Sequence, residues 1–269
     1  MAWQSATLES NGLRLHYTRT GGDKPALVMS HGFSDDGLCW TPVAELLAPE
    51  YDIVMVDARG HGRSAAPEKG YGSAEHVADL AGVIDGLRLH RPILLGHSMG
   101  AMTTLLFAGT HSDIARAILL EDPPPVWSPA WPPTDRPRRA PSNWIIDIKR
   151  KTREEMIADQ HDAAPSWSDS ELGPWADSKL RLSLNVLNQE GQVPVDWSSA
   201  VSHITCPVLL ITADRERGAI VSPEDAAALQ AALPQMKVAR ITGAGHNIRR
   251  EQFESYMKVV RAFLKDLGE

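Results

Sequence analysis

Ile93-Leu94-Leu95-Gly96-His97-Ser98-Met99-Gly100 is a short apolar run that closes on a G-x-S-x-G pentad, and residues 101–108 follow it with helix-like composition. The pattern predicts a buried strand, a tight turn and a helix, with one serine at the turn. Gly96 and Gly100 fit a sharply bent backbone and a helix packed close to its strand. Such a turn lifts the Ser98 hydroxyl out of the sheet and sets it at a helix N-terminus, where free N–H groups and the helix dipole favour negative charge. That is a place to build a nucleophile. A serine that merely caps the helix would give the same pentad, so the rest of the chain has to decide.

Working outward, the same strand-then-helix rhythm runs in both directions. Upstream, Thr7–Glu9 and Leu13–Tyr17 flank Asn11-Gly12, a short-range hairpin signal. Ala26–Ser30 and Ile53–Val56 read as buried strands, and Cys39–Leu47 and His76–Leu89 read as helices. Downstream come a strand at Ala117–Leu120, a strand at Val208–Thr212, a helix at Pro223–Leu233, a strand at Lys237–Ile241 and a closing helix at Gln252–Leu267. Strands alternating with helices of this length imply an α/β fold with a mostly parallel sheet covered on both faces.

The rhythm breaks between Asp122 and Trp197. This stretch is rich in proline and arginine, and six of the chain's eight tryptophans fall in it: Trp127, Trp131, Trp144, Trp167, Trp175 and Trp197. Helices are expected around Asn143–Gln160 and Ser170–Asn188. So much aromatic area is out of place in a linker, and the expectation is an inserted helical cap over residues 122–197, with a core domain built from 1–121 and 198–269. The basic run Arg136, Arg138, Arg139, Lys149, Arg150, Lys151 and Arg153 reads as a solvated face.

Bulk properties narrow the function. The chain has 269 residues and a net charge of −7, which argues against broad electrostatic binding of nucleic acid. Two cysteines far apart, Cys39 and Cys206, do not make a disulfide framework. The first ten residues lack the order of a signal peptide, and no apolar run has the length of a membrane span, so a soluble cytoplasmic protein without a membrane partner is expected. No histidine pair stands at metal-ligand spacing on a recognisable helix, so neither a metal nor another cofactor is expected. The sequence leaves monomer and homodimer both open.

In an open parallel sheet, functional groups gather on loops at the carboxyl ends of the strands. Here those loops hold His31-Gly32-Phe33, Asp57, Ser98, Glu121-Asp122, Asp214 and His246. Serine, carboxylate and histidine are the types nucleophilic acyl transfer requires: the base takes the serine proton, and the carboxylate fixes the base's tautomer and stabilises its cation.

The order Ser98, Asp214, His246, with G-H-S-M-G at the turn, resembles the α/β-hydrolase family from about residue 7 to the end of the chain, the cap matching only in its placement. The resemblance implies an eight-stranded, mostly parallel sheet with Ser98 as nucleophile and His246 as base. It also implies an oxyanion hole from the amides of Phe33 and Met99, whose side chains are expected to face the acyl pocket. Asp57-Ala58-Arg59-Gly60-His61-Gly62-Arg63-Ser64 is similar to a structural loop of the family. The acid falls to Asp214, as in most of the family, with Asp122 and Glu121 the alternative, as in some of its members. A serine nucleophile disfavours the haloalkane dehalogenases and epoxide hydrolases of the family, which use a carboxylate. The expected activity is cleavage of a small-molecule ester or lactone. Amidase, carbon–carbon bond hydrolase, acyltransferase, and cofactor-free perhydrolase or haloperoxidase chemistry share the same triad, and a small-molecule receptor with the hydrolase fold is the non-enzymatic alternative. Trp127, Trp131 and Trp144 are the expected pocket residues over Ser98.

Overall fold

A computed structural model describes residues 3–128, 141–188, 190 and 195–268. The eight strands are β1 (Gln4–Ser10), β2 (Leu13–Arg19), β3 (Ala26–Ser30), β4 (Asp52–Val56), β5 (Ile93–His97), β6 (Ala117–Glu121), β7 (Val208–Thr212) and β8 (Met236–Arg240). They form one sheet in the order β1-β2-β4-β3-β5-β6-β7-β8. The β1–β2 hairpin joins antiparallel, and β3 to β8 run parallel. Asn11 and Gly12 supply the hairpin turn with φ of 50° and 73°, the left-handed pair such a turn needs.

The central strands are buried along their whole length because both faces are covered. Val28, Val54, Leu94, Ile118, Leu120 and Leu210 face one core, shared with α2 (Ser73–Gly86), α3 (Met99–Thr110), α7 (Trp197–Ser202) and α8 (Pro223–Ala232). Their neighbours Leu27, Met29, Ile53, Leu95, Leu119 and Ile211 face the other, under α1 (Thr41–Leu47) and α10 (Phe253–Asp266). The period of two sorts each strand between two cores.

The cap holds α4 (Pro141–Ile148), α5 (Arg153–Ala163) and α6 (Asp169–Arg181). Two of these, α4 and α5, fall in the Asn143–Gln160 stretch, because Thr152 and Glu155 form a capping box that starts α5 afresh. Ile148, Met156, Trp167, Leu172, Trp175 and Ala176 give the cap a small core of its own. Lys149 closes the end of α6 by donating to the carbonyls of Lys179, Leu180 and Leu182.

Candidate active site

Ser98 sits between β5 and α3 with φ 50° and ψ −114°, a strained conformation for a residue with a side chain, costing about 1–3 kcal/mol. Its N–H donates to Glu121 O at 2.9 Å, and its carbonyl accepts from Met102 N at 2.9 Å. The strand and helix meet too closely for any side chain at the two glycines. A Cβ on Gly100 would stand 2.1 Å from Ser30 O, and one on Gly96 would stand 2.3 Å from Gly100 O. The Ser98 side chain makes no hydrogen bond that caps α3, so the capping alternative finds no support here.

His246 lies beyond β8 and opens onto the same cavity as Ser98. Its Nδ1 is 2.7 Å from Asp122 Oδ2. A carboxylate there requires the proton on Nδ1, which leaves the Nε2 lone pair to accept one. The Asp122 side chain is fully buried. Its Oδ2 also accepts from Ile220 N at 2.8 Å, and Oδ1 accepts from Val221 N at 3.0 Å.

Asp214 was expected to face His246, and the structure places it elsewhere. Its carboxylate accepts from Gly243 N at 2.7 Å and Arg240 Nη2 at 2.9 Å. Those two donors hold its pKa below the ordinary carboxylate range. Glu121 does not reach His246 either: its carboxylate accepts from Arg249 N at 3.0 Å and Arg249 Nη1 at 3.2 Å. Complete burial raises its pKa, against the pull of Arg249.

His97, inside the pentad, was not singled out from sequence. Its Nε2 lies 3.0 Å from His246 O, so that nitrogen must carry the proton and donate. Burial, then the nearby Arg249 and His246, hold its pKa well below the usual value and keep the ring neutral. His97 thus ties the nucleophile turn to the backbone of the histidine loop.

Phe33 lines the cavity with its ring 37% exposed. Its N–H finds no hydrogen-bond partner among the described residues. Met99 is the first residue of α3, where amides have no intrahelical acceptor. Met99 does not line this cavity and instead borders a small interior space beside His31 and Thr103. Asp57 and Arg59 brace their loop: Asp57 accepts from Gly37 N, Arg63 N and His16 Nδ1, and Arg59 pairs with Asp79.

The cavity above Ser98 measures about 780 Å³. Trp144 lines it, as expected, and Trp167 and Trp175 join it. Trp127 does not: it packs against the main core and donates from Nε1 to Asp225 O at 2.9 Å. Trp131 lies outside the described residues. Which tryptophans meet the cavity depends on how the cap docks, which aromatic composition alone does not encode.

A buried ionic cluster shares this cavity, which Asp35, Lys179 and Arg250 also line. Asp35 Oδ1 takes Lys179 Nζ at 2.7 Å, and its Oδ2 meets Arg249 and Arg250 at 3.3 and 3.2 Å. Arg250 also pairs with Glu171 at 3.1 Å. Although burial opposes ionisation, Arg250, Lys179 and Arg249 hold the Asp35 carboxyl well below its usual range. The three cations each stack on a tryptophan: Lys179 on Trp175, Arg249 on Trp40 and Arg250 on Trp167. Among the described residues there is no group of three or more ligating side chains poised for a metal, and no helix long and apolar enough to cross a membrane. Cys39 and Cys206 are both free and buried.

The model of the alpha/beta hydrolase family matches residues 27–259. N-formylmaleamate deformylase of Pseudomonas putida is 31% identical over 265 residues, which cover 96% of this chain and 95% of the relative. A 2-(acetamidomethylene)succinate hydrolase of Mesorhizobium japonicum is 27% identical over 255 residues, 91% of this chain and 90% of that one. Among solved structures, the enol-lactonase of Burkholderia xenovorans superposes with a TM-score of 0.75 at 22% identity, over 97% of this chain and 100% of that one, a likeness of fold.

Proposed function

Since the chain belongs to the alpha/beta hydrolase family, we propose that it is a serine hydrolase that cleaves a small carboxylic acid derivative through an acyl-enzyme. The observation that carries this reading is the 2.7 Å contact between His246 Nδ1 and the buried Asp122 carboxylate, at the mouth of the cavity that Ser98 enters. Ser98 Oγ attacks the acyl carbon as His246 Nε2 takes its proton. The amides of Phe33 and Met99 receive the oxyanion. Collapse expels the leaving group, which takes the proton from His246, and leaves the acyl group on Ser98. Water then gives a proton to His246 and attacks the same carbon, releasing the acid and free serine. Asp122, anchored by two backbone amides, stabilises the imidazolium at both stages.

Esters and lactones remain the first substrates to try, because an alkoxide leaves most readily from the tetrahedral intermediate. A second reading, amide hydrolysis, is favoured by two relatives similar along nearly the whole chain, whose names specify N-acylated substrates. A panel pairing esters, lactones and amides of the same acyl groups separates the two readings. Ser98→Ala should cost about 10⁴-fold or more in kcat on any of them and abolish labelling by a fluorophosphonate. Full turnover by Ser98→Ala would end the proposal.

A further inference from the structure

Lys179 belongs to α6 in the cap, yet it is 1% exposed and reaches the loop that follows β3. Its Nζ donates to Ser34 O at 2.9 Å, Asp35 Oδ1 at 2.7 Å and Ser178 Oγ at 3.2 Å. An ammonium has three protons, so these acceptors use all of them and leave none for a substrate. Ser34 stands directly after Phe33 and holds a left-handed φ of 73°, a conformation that persists only where its surroundings enforce it. Its carbonyl is fixed from the cap by Lys179 Nζ, while the one proton of the Ser178 hydroxyl, 3.3 Å away, goes to Trp175 O at 2.6 Å. Two residues further on, Arg181 Nε binds Asp36 Oδ2 at 2.8 Å, so the end of α6 grips residues 34–36 as a unit.

We infer that Lys179 is a positioning residue that aims the Phe33 amide from the cap, so that seating the cap and completing the oxyanion hole are one event. This rests on the reading above, in which that amide receives the oxyanion. The Ser34 carbonyl shares its peptide unit with the Asp35 N–H, which donates at 3.0 Å to Gly32 O, on the peptide unit that carries the Phe33 N–H. Freeing the Ser34 carbonyl lets the strained turn relax and rotates the Phe33 N–H away from the developing charge. Ground-state binding does not need that amide, and Lys179, which lines the cavity beside Asp35 and Arg250, has no proton left for a substrate. The loss therefore falls on the transition state.

Lys179→Met keeps the apolar stem and removes the donors. We expect kcat to fall about 10- to 100-fold with KM changed less than about threefold. Affinity for an alkyl boronic acid, which forms a tetrahedral adduct on the serine, should weaken by the same factor as kcat/KM. Affinity for the carboxylic acid product should hold. An unchanged kcat and boronate affinity, or a loss confined to KM, would overturn the inference. If Lys179→Met does not fold, Ser178→Ala removes one of the three acceptors that hold Lys179 Nζ and should give the same pattern at about two- to fivefold. A Ser178→Ala variant with unaltered kcat and boronate affinity would then count against it. Fluorophosphonate labelling keeps the two ideas apart. Failure of the wild type to label at Ser98 refutes the serine mechanism, whereas a Lys179→Met enzyme that labels at Ser98 and keeps the wild-type kcat refutes only the role of Lys179.

Discussion

The loops after β6 and β7 start alike and end differently. Each leaves a buried parallel strand and soon presents an aspartate near the loop that carries His246. Asp122 lies one residue past its strand with φ 41°, and its carboxylate meets two amides and the His246 ring. Asp214 lies two residues past its strand with ordinary φ of −83°, and its carboxylate meets Gly243 N and Arg240. One turn of backbone separates an acid that faces the base from an acid that braces the base's loop. Asp214 also accepts nothing from the ring while its own N–H donates to Ala244 O at 2.9 Å, tying the histidine loop from outside.

The sharpest break of that comparison is Asp122→Asn. An amide there can turn its NH2 toward His246 Nδ1, which moves the ring proton to Nε2 and leaves no lone pair for Ser98. A loss of about 10³–10⁴ in kcat is expected, and a smaller loss than that of Asp214→Asn would invert the assignment of the two loops. Glu121→Gln, one residue earlier, should act on stability instead. Removing a buried partner of Arg249 costs about 3 kcal/mol in urea unfolding, with kcat of the folded enzyme kept within about tenfold. Equal damage to kcat from Glu121 and Asp122 would mean that the strand end works as one unit.

Asp214→Asn should have the smallest effect on turnover, at most about tenfold, the factor that one ordinary hydrogen bond of about 1.4 kcal/mol carries. Its effect on stability has a sign that pH can test. Asp214 titrates below its unfolded value, so its contribution is complete above the ordinary carboxylate range and fades as pH falls through its lowered folded value. The gap between the urea midpoints of wild type and Asp214→Asn should therefore be widest at neutral pH and close on acidification. A gap that widens toward low pH would show that the carboxyl is held protonated.

The strands, their order of chemistry and the serine turn were legible because burial on both faces writes unbroken apolar runs, and the residues that follow mark the sheet's working edge. The family resemblance supplied the eight-stranded sheet, and the protein has it. The partner of His246 was not legible beyond a choice between loops, since it turns on a single left-handed residue and on the amides of Ile220 and Val221, distant in sequence. The division of the cap at Thr152 was legible in principle, as T-x-x-E is written there, but α5 buries only Met156 and so writes no apolar stripe of its own to set it apart from α4. Trp127 and Trp175 look equivalent in composition. Only the docking of α6 on Asp35 and Asp36 sends one to the cavity and leaves the other under the core.

Asp122 has a practical consequence for building chimeras. It is the last residue before Pro123-Pro124-Pro125 and the cap, yet its hydrogen bonds go to Ile211, Ile220, Val221 and His246, on the hydrolase core. A cap transplanted from another enzyme should therefore be spliced after Pro125, never at the end of β6. The donor cap should also bring a cation to Asp35 Oδ1, the oxygen that Lys179 meets, since Arg249 and Arg250 pair only with Oδ2.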